Sequence, residues 1–167
     1  MYVLQTLAKT HDKAHFSCGE PLLDTYIRHQ AGQDQRRNVA QVYVLTEEGN
    51  AKVIGFYTLS SSSIQSSFFS EDVRKRLPLY PIPTILLGRL GVDESQKGKR
   101  LGELLLMDAL HKTLEASENI GVYALEVKAK HDEAAQFYQK YGFEALEDDA
   151  LRLFLPVKRI IKILNDA

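Results

Sequence analysis

The sequence predicts an α/β (α+β) fold in a single domain that spans residues 1–167. Apolar runs typical of strands alternate along the chain with segments of helical period. A length of 167 residues corresponds to one domain, since domains run to roughly 100–200 residues. Hydrophobic residues make up 44% and charged residues 26% of the chain, which is typical of a globular protein with one buried core.

Composition excludes several classes of protein. The single cysteine, Cys18, rules out an internal disulfide and is typical of a reducing compartment. The start of the chain, residues 1–5, lacks the basic and apolar segments of a signal peptide. No uncharged apolar stretch approaches the ~18 residues that a membrane span needs. We therefore expect a cytoplasmic protein that does not bind a membrane.

Hydrophobic periodicity predicts the elements of the first half. Residues 21–37 have helical character, with apolar side chains on one side. Residues 39–45 and 52–62 are typical of strands, and the turn residues 47–50 between them predict a hairpin. Ser70 opens a short helix that must end before Pro78.

A buried strand and a glycine-bearing loop follow. Residues 78–83 carry three prolines and predict a rigid, non-helical connector, and the apolar run 84–92 then predicts a buried strand. The loop 96–102 precedes a helix with a wide apolar stripe at Leu101, Leu104, Leu105, Leu106, Ala109, Leu110 and Leu114. Free N–H groups at a helix start bind anions. A plain basic turn before a helix is the alternative, and the pattern fits neither a P-loop nor a dinucleotide fingerprint.

The last third of the sequence predicts a strand, a helix and a final pair of strands. Residues 122–127 predict a strand, and Asp132 begins a short helix where the dipole favours acids. Gly142 ends that helix as a C′ glycine would. Phe143 then leads into a last pair of strands that ends over residues 151–156.

Residues 137–143 and the loop from Lys97 to Gly102 each carry a motif, and together they make the chain resemble the GNAT superfamily of N-acetyltransferases. Residues 137–143 match its Phe-Tyr-x-x-x-Gly-Phe signature in full. Its coenzyme-loop consensus, Arg/Gln-x-x-Gly-x-Gly/Ala, aligns with Lys97 to Gly102 and departs from it at Lys97 and at Arg100, which replaces a glycine. A residue other than glycine is tolerated at this position if its φ is negative and its side chain points outward, since the backbone N–H does the binding.

The resemblance implies a fold, a co-substrate and roles for individual residues. It implies a central, mixed but mostly antiparallel sheet of six to seven strands flanked by about four helices, and acetyl-CoA as co-substrate with no metal. Tyr138 would protonate the leaving thiolate of the coenzyme, or else be a core aromatic. His131 would contact the coenzyme, or else be a solvated helix start. The implied coenzyme-binding set is completed by the main chain of Leu90, Gly91 and Val92 for the pantetheine arm and by Lys97, Gly98, Lys99, Arg100, Leu101 and Gly102 for the pyrophosphate.

Four segments of the first half resemble one branch of that superfamily, the acetyltransferase toxins of bacterial toxin–antitoxin pairs. They lie at residues 16–27, 54–60, 77–83 and 87–93. The resemblance implies acetylation of the amino group of an aminoacyl-tRNA and a ribbon-helix-helix antitoxin as partner, and it is compatible with a homodimer. The candidate tRNA contacts are basic residues of the first half: Arg36, Arg37, Arg74 and Arg76.

The general base and the acceptor stay open at this point. Glu126 and Asp93 are candidate carboxylates, but Glu126 could face solvent and Asp93 could fix the loop. An α-amino group of pKa ~7.7–8.0 is already partly neutral at pH 7 and needs less help than a lysine. An ordinary small-molecule or protein N-acetyltransferase and a non-catalytic acyl-CoA-binding module are the alternatives. The five histidines show no ligand spacing, so no metal site is predicted.

Overall fold

The computed structural model describes residues 1–166. Its helices are α1 (Pro21–Thr25), α2 (Ala31–Arg36), α3 (Glu71–Arg74), α4 (Leu101–Ser117), α5 (Asp132–Lys140) and α6 (Val157–Asp166). A π-helical turn, Tyr26–Gln30, joins α1 to α2, so these form one helical region. Four longer helical regions and the single turn of α3 agree with the predicted number of about four helices.

Seven strands form one mixed sheet in the order β1-β2-β3-β4-β5-β7-β6. They are β1 (Tyr2–Thr6), β2 (Gln41–Glu47), β3 (Gly55–Ile64), β4 (Ile82–Val92), β5 (Ala124–Lys128), β6 (Glu144–Leu146) and β7 (Asp149–Pro156). β4 pairs with β5 in parallel, over Thr84–Leu87 and Ala124–Val127. The pairs β1–β2, β2–β3, β5–β7 and β6–β7 are antiparallel, as predicted for a mostly antiparallel sheet.

The contacts divide the chain into two compact units. The first unit consists of residues 1–60 and 88–109. Its core contains Phe56, whose ring meets Phe16 edge-on at 5.4 Å and lies parallel to Tyr26 at 6.3 Å. The helical region 21–36 contributes Tyr26 and Ile27, both almost fully buried, to this core. The helical region therefore packs an apolar side against the β2–β3 hairpin, but Leu22, which its periodicity placed on that side, is 80% exposed.

The second unit consists of residues 61–87 and the chain from residue 110 onward. Its core contains Phe69, whose ring meets Phe154 edge-on at 4.9 Å. Tyr123 is half-buried beside them, 5.9 Å from Phe69 and 6.5 Å from Phe154 between ring centroids. These aromatic rings join the start of β5 to β7.

Two elements were not predicted, and the predicted bounds of others differ from the observed ones, as with β3, which begins at Gly55 and not at residue 52. The sequence reasoning gave no element for β1 or for α6. The connector ends earlier than predicted because β4 begins at Ile82, and the carbonyl of Pro83 accepts a hydrogen bond of 2.9 Å from the Tyr123 N–H. β4 is also less buried than predicted, since Gly88 is exposed and Leu90 only half-buried.

Between residues 1 and 166, no helix has the length and apolar character needed to cross a membrane.

Candidate active site

The loop after β4 is held in place by a buried carboxylate. Asp93 follows the strand directly, and its two oxygens accept hydrogen bonds from the N–H of Ser17 at 3.0 Å, the N–H of Ser95 at 3.0 Å and the Ser95 hydroxyl at 2.7 Å. Burial raises the pKa of Asp93, but these hydrogen bonds outweigh it and hold the pKa below its usual value. Asp93 therefore stays charged and fixes the loop. Of the two roles that the sequence left open for Asp93, candidate base and loop anchor, the contacts agree with the second.

Two residues of this loop adopt the left-handed conformation. Gly98 has φ +83° and Arg100 has φ +61°. The condition of a negative φ at Arg100 is therefore not met, because the turn needs the same backbone conformation there that the family consensus supplies with glycine. The condition of an outward side chain is met, since the Arg100 side chain is 77% exposed and pairs with Glu103 at 2.9 Å.

The conformation at Gly98 and Arg100 shapes a loop suited to an anion. Turns of this kind direct successive backbone N–H groups into one concave surface. α4 begins at Leu101, and the first N–H groups of a helix have no partner within it. A Cβ built on Gly98 would meet no atom within 4 Å, so the space above the loop is open there. Lys99 is exposed, and its Nζ lies 3.0 Å from Gln96 Oε1.

The end of β4 brings Leu90, Gly91 and Val92 directly before this loop. Gly91 is buried, and a Cβ there would lie 3.3 Å from Phe56 and 3.5 Å from the Cys18 sulfur. A side chain at position 91 would therefore push the Phe56 ring by a few tenths of an ångström, whereas glycine lets the strand lie this close to the core without that shift. The side chains of Leu90 and Val92 are half-buried.

Cys18 is a protonated thiol beside this strand end. Its Sγ lies 3.8 Å from the carbonyl of Glu20, and its N–H donates to Asp24 at 2.8 Å. Burial raises the pKa of the thiol to about 11, and Asp24 adds to the effect. At neutral pH it is therefore not the thiolate that a cysteine nucleophile needs.

Tyr138 lies in the second unit, on the buried face of α5. Only 9% of the residue is exposed. Its ring meets Phe137 edge-on at 5.2 Å and Phe143 at 5.3 Å. Burial raises the pKa of the phenol well above its usual value. Tyr138 is therefore protonated at neutral pH, as a proton donor must be, and it is also packed as a core aromatic would be.

The signature around Tyr138 has a structural explanation. Gly142 has φ +98° and ends α5, as predicted. The N–H of Gly142 donates a hydrogen bond of 3.0 Å to the carbonyl of Gln139, and the N–H of Phe143 donates one of 3.3 Å to the carbonyl of Tyr138. This reversal brings Phe143 back against the Tyr138 ring. The glycine and the second phenylalanine of the motif thus position the tyrosine.

His131 caps α5. Its Nδ1 accepts a hydrogen bond of 3.2 Å from the N–H of Ala134, and the residue is exposed. A side chain that accepts a bond from the third N–H of a helix stabilises that helix. This agrees with the helix-start interpretation of His131, whereas its contact with a coenzyme stays a prediction.

Glu126 does not face solvent, so that alternative is wrong. The residue is fully buried, and its Oε1 accepts a bond of 2.9 Å from the Thr84 hydroxyl. Its Oε2 pairs with Arg152 Nε at 2.8 Å. Sequence reasoning missed Arg152, because 26 residues separate it from Glu126 and only the β5–β7 ladder brings the two strands together.

The basic residues predicted to contact tRNA lie at or just after the ends of α2 and α3. Arg36 is the last residue of α2 and Arg37 follows it, and both are exposed. In the second unit Arg74 ends α3 half-buried, with its Nη1 3.5 Å from the Ser67 carbonyl, and Arg76 is exposed. Among residues 1–166 no group of three or more His, Cys, Asp or Glu side chains could hold a metal ion.

The comparison with protein families identifies the class of protein. Residues 38–145 match the model of the acetyltransferase (GNAT) domain, a range that contains β4, the loop and Tyr138. The chain belongs to this family, and it is an acetyl-CoA-dependent acetyltransferase. The predicted family and fold class are therefore confirmed.

Two curated relatives of the chain are toxins. The chain is 37% identical to the tRNA-acetylating toxin of Mycobacterium tuberculosis (strain ATCC 25618 / H37Rv), over 96% of this chain and 95% of the relative. It is 32% identical to the probable toxin TacT of Sinorhizobium fredii (strain NBRC 101917 / NGR234), over 93% and 90%.

Solved structures give the same result for the fold. AtaT complexed with acetyl-methionyl-tRNAfMet matches with a TM-score of 0.91 and 28% identity, over 98% of this chain and 99% of that one. A tyrosine-to-phenylalanine mutant of the AtaT toxin, bound to the C-terminus of the antitoxin AtaR and acetyl-CoA, matches with a TM-score of 0.83 and 26% identity, over 98% of each chain.

Proposed function

We propose that this protein transfers the acetyl group of acetyl-CoA to the α-amino group of an aminoacyl-tRNA and thereby acts as a toxin that blocks translation. The observation that carries the proposal is the likeness to the tRNA-acetylating toxin, which extends over 96% of this chain. Because that likeness runs from end to end, it includes the parts of the chain outside the two acetyltransferase motifs.

In this proposal the coenzyme is held by main-chain groups. The pyrophosphate lies on the N–H groups of the loop from Lys97 to Gly102, including Gly98, Lys99, Arg100 and Leu101. The pantetheine arm pairs with the main chain of Leu90, Gly91 and Val92. The open space above Gly98 and the left-handed turns at Gly98 and Arg100 support this assignment. His131 is the remaining candidate contact.

The reaction needs a neutral amine and a proton donor. The amine nitrogen attacks the acetyl carbonyl carbon, the C–S bond of the thioester then breaks, and the coenzyme sulfur leaves as a thiolate. Tyr138 gives this sulfur its proton, since the phenol is protonated at neutral pH. Burial raises the pKa of this phenol and so makes it a weaker acid, which its hydrogen bond to the developing thiolate must offset. The amine loses its proton to water, since Asp93 fixes the loop and Glu126 is paired with Arg152.

The proposal extends to partners and location. An antitoxin would hold the toxin inactive, and the binding of the mutant AtaT toxin to the C-terminus of AtaR supports a partner of this kind. We propose a ribbon-helix-helix protein for this role, a homodimer as the assembled form, and the cytoplasm as the place where charged tRNA is met. That residues 1–167 form one acetyltransferase domain stays a prediction.

Labelled acetyl-CoA tests the substrate. The protein is incubated with total charged tRNA, a polyamine and a lysine-rich protein in one reaction, and the label in each fraction is measured. We expect the label in the aminoacyl fraction, from which mild base releases it with the amino acid. Label on the polyamine or the protein lysines would establish an ordinary acetyltransferase instead, and binding of acetyl-CoA without transfer would establish a non-catalytic module.

A further inference from the structure

A cavity of about 620 Å³ lies in the second unit, and none of its lining residues is assigned above to acetyl-CoA. Its walls come from the segment after α3, the residues before β5, the end of β7 and the first turns of α6. Ligand sites have volumes of roughly 300–1,000 Å³, so the cavity is large enough for a charged group and part of the molecule that carries it.

The cavity concentrates positive charge. Four cations and one carboxylate line it: Arg76, Lys158, Arg159, Lys162 and Glu144. The lining thus carries a local charge of +3, whereas the net charge of the whole chain is −1. Two basic clusters that lie about half the chain apart in sequence, at Arg76 and at residues 158–162, therefore meet around one space.

The start of α6 does not compensate this charge. The first turn of α6 contains Lys158 and Arg159 but no acidic residue. α3 and α5, by contrast, begin with two acidic residues each. Because the N-terminal end of a helix is the positive end of its dipole, acids stabilise it and cations do not. The dipole of α6 thus adds to the positive potential of the cavity.

Two side chains of the wall have defined partners. Arg159 donates from Nη1 to the Gly142 carbonyl at 2.8 Å, and its Nη2 lies 3.5 Å from Glu144. The ring of Tyr123 is fixed against Phe69 and Phe154. Burial raises the pKa of the Tyr123 phenol, Arg76 and Arg159 act in the opposite direction, and Glu144 adds to the rise.

We infer that this cavity binds phosphate groups of the tRNA backbone and anchors the substrate outside the reacting centre. A guanidinium, a phenol and two exposed lysines are suited to phosphate oxygens, since arginine binds them through paired N–H groups and lysine as a point charge. The ligand class rests on the proposed function, because tRNA supplies one such charge for every nucleotide. Sequence reasoning proposed Arg76 for tRNA, and the structure adds Lys158, Arg159 and Lys162.

Salt-dependent binding tests this inference. Lys158 and Lys162 are both exposed, so the double variant Lys158→Gln, Lys162→Gln leaves the packed wall intact. The matched control is Lys9→Gln, Lys128→Gln, which changes the net charge equally at two exposed lysines outside the cavity. Filter binding of aminoacyl-tRNA is measured over a range of salt concentrations, together with thermal melting and calorimetry of acetyl-CoA binding.

We expect the cavity variant to lower the slope of log affinity against log salt by roughly 0.7–0.9 for each lysine removed. Its affinity for tRNA should be weakened roughly 10-fold or more near 0.1 M salt. Melting and acetyl-CoA affinity should stay at the wild-type values, and the control should keep the wild-type slope. A wild-type slope in the cavity variant would overturn the inference.

Further probes separate other sources of negative charge. If the cavity variant loses binding of ATP or of polyglutamate but keeps the wild-type tRNA slope, the cavity serves a free phosphate or an acidic peptide and the inference is wrong. The wild-type acetylation assay separates the two proposals. If the cavity variant has a lowered salt slope but the wild type does not acetylate tRNA, the cavity binds tRNA and the proposed function is wrong. If the wild type acetylates tRNA and the slope of the variant is unchanged, the proposed function holds and the inference about the cavity is wrong.

Discussion

The coenzyme loop and the α5 signature differ in how closely they keep to the family pattern. The loop from Lys97 to Gly102 departs from the consensus at two positions, yet Arg100 adopts the left-handed conformation that a glycine there would adopt. The segment 137–143 matches its signature in full, and each of its fixed residues has a place in the packing of Tyr138.

The difference follows from which atoms each region would use. Backbone N–H groups are present in every residue except proline, so a loop that binds through them can change its side chains as long as its conformation is kept. A proton donor is one atom of one side chain, and its position depends on the ring's neighbours. The coenzyme loop is therefore recognised by its backbone φ angles, whereas the α5 signature is recognised by its residue types.

The largest effect is expected at Tyr138. The change Tyr138→Phe keeps the ring against Phe137 and Phe143 but removes the proton donor. Turnover should fall by about 10²–10⁴-fold, the usual contribution of a general acid, with acetyl-CoA affinity nearly intact. Steady-state kinetics and calorimetry measure the two quantities. Near-normal turnover would reduce Tyr138 to a core aromatic.

A smaller effect is expected from Gly98→Val. A Cβ at this position meets open space, so the cost comes from φ +83° rather than from a steric clash. Strain of about 1–3 kcal/mol should distort the loop and weaken acetyl-CoA binding by roughly 10-fold or more. Gly49→Val is the matched control, since Gly49 has φ +78° and equally open space in the β2–β3 turn. The Gly49 variant should lose stability but keep its acetyl-CoA affinity. If the Gly98 variant also kept its acetyl-CoA affinity, the pyrophosphate would not bind to this loop.

Arg100→Gly should have little effect if the loop binds through its backbone. Glycine adopts φ +61° without strain, but it also makes the unfolded chain more flexible, so the free energy of unfolding should change by less than about 1 kcal/mol. The exposed pair with Glu103 adds little. Acetyl-CoA affinity should change by less than about 5-fold in calorimetry. A loss as large as that of the Gly98 variant would mean that the guanidinium itself binds the coenzyme.

The smallest effect concerns stability at high pH. The unfolded phenol of Tyr138 loses its proton near pH 10, whereas burial keeps the folded phenol protonated to higher pH. The unfolded state therefore binds fewer protons above pH 10, and stability falls as the pH rises, by at most ~1.4 kcal/mol per pH unit for this group. Urea unfolding from pH 8 to 11 should show a steeper loss in the wild type than in Tyr138→Phe. Parallel curves would show that Tyr138 is not buried in solution.

Most of the fold could be predicted because its strands and helices bury one side. The hairpin of β2 and β3, the helix α4 and the C′ glycine of α5 all carry periodic or capping signals. β1 could not be found this way, since none of its five residues is buried and its place in the sheet depends on backbone pairing with β2. α6 does carry a signal, the apolar spacing of Val157, Ile160, Ile161 and Leu164, which the sequence reasoning overlooked after Pro156.

The site could be predicted less completely than the fold. Motif residues such as Tyr138 and Gly98 could be proposed because the local sequence carries the motifs, and their roles stay predictions. The burial of Glu126 with Arg152 and the meeting of Arg76 with Lys162 depend on contacts between distant segments, to which no local pattern points. The condition of a negative φ at Arg100 failed for a related reason: the turn imposes the left-handed conformation, and the residue type alone favours the opposite one.

The most direct test of the account is to locate the transferred acetyl group on a defined substrate. Wild type and Tyr138→Phe are each incubated with acetyl-CoA and one purified aminoacyl-tRNA, nuclease releases the terminal aminoacyl-adenosine, and mass spectrometry shows whether its amino group is acetylated. We predict acetylated aminoacyl-adenosine from the wild type and about 10²–10⁴-fold slower formation from the variant. An unmodified amino group after complete turnover of acetyl-CoA, or equal rates in the two proteins, would contradict the account.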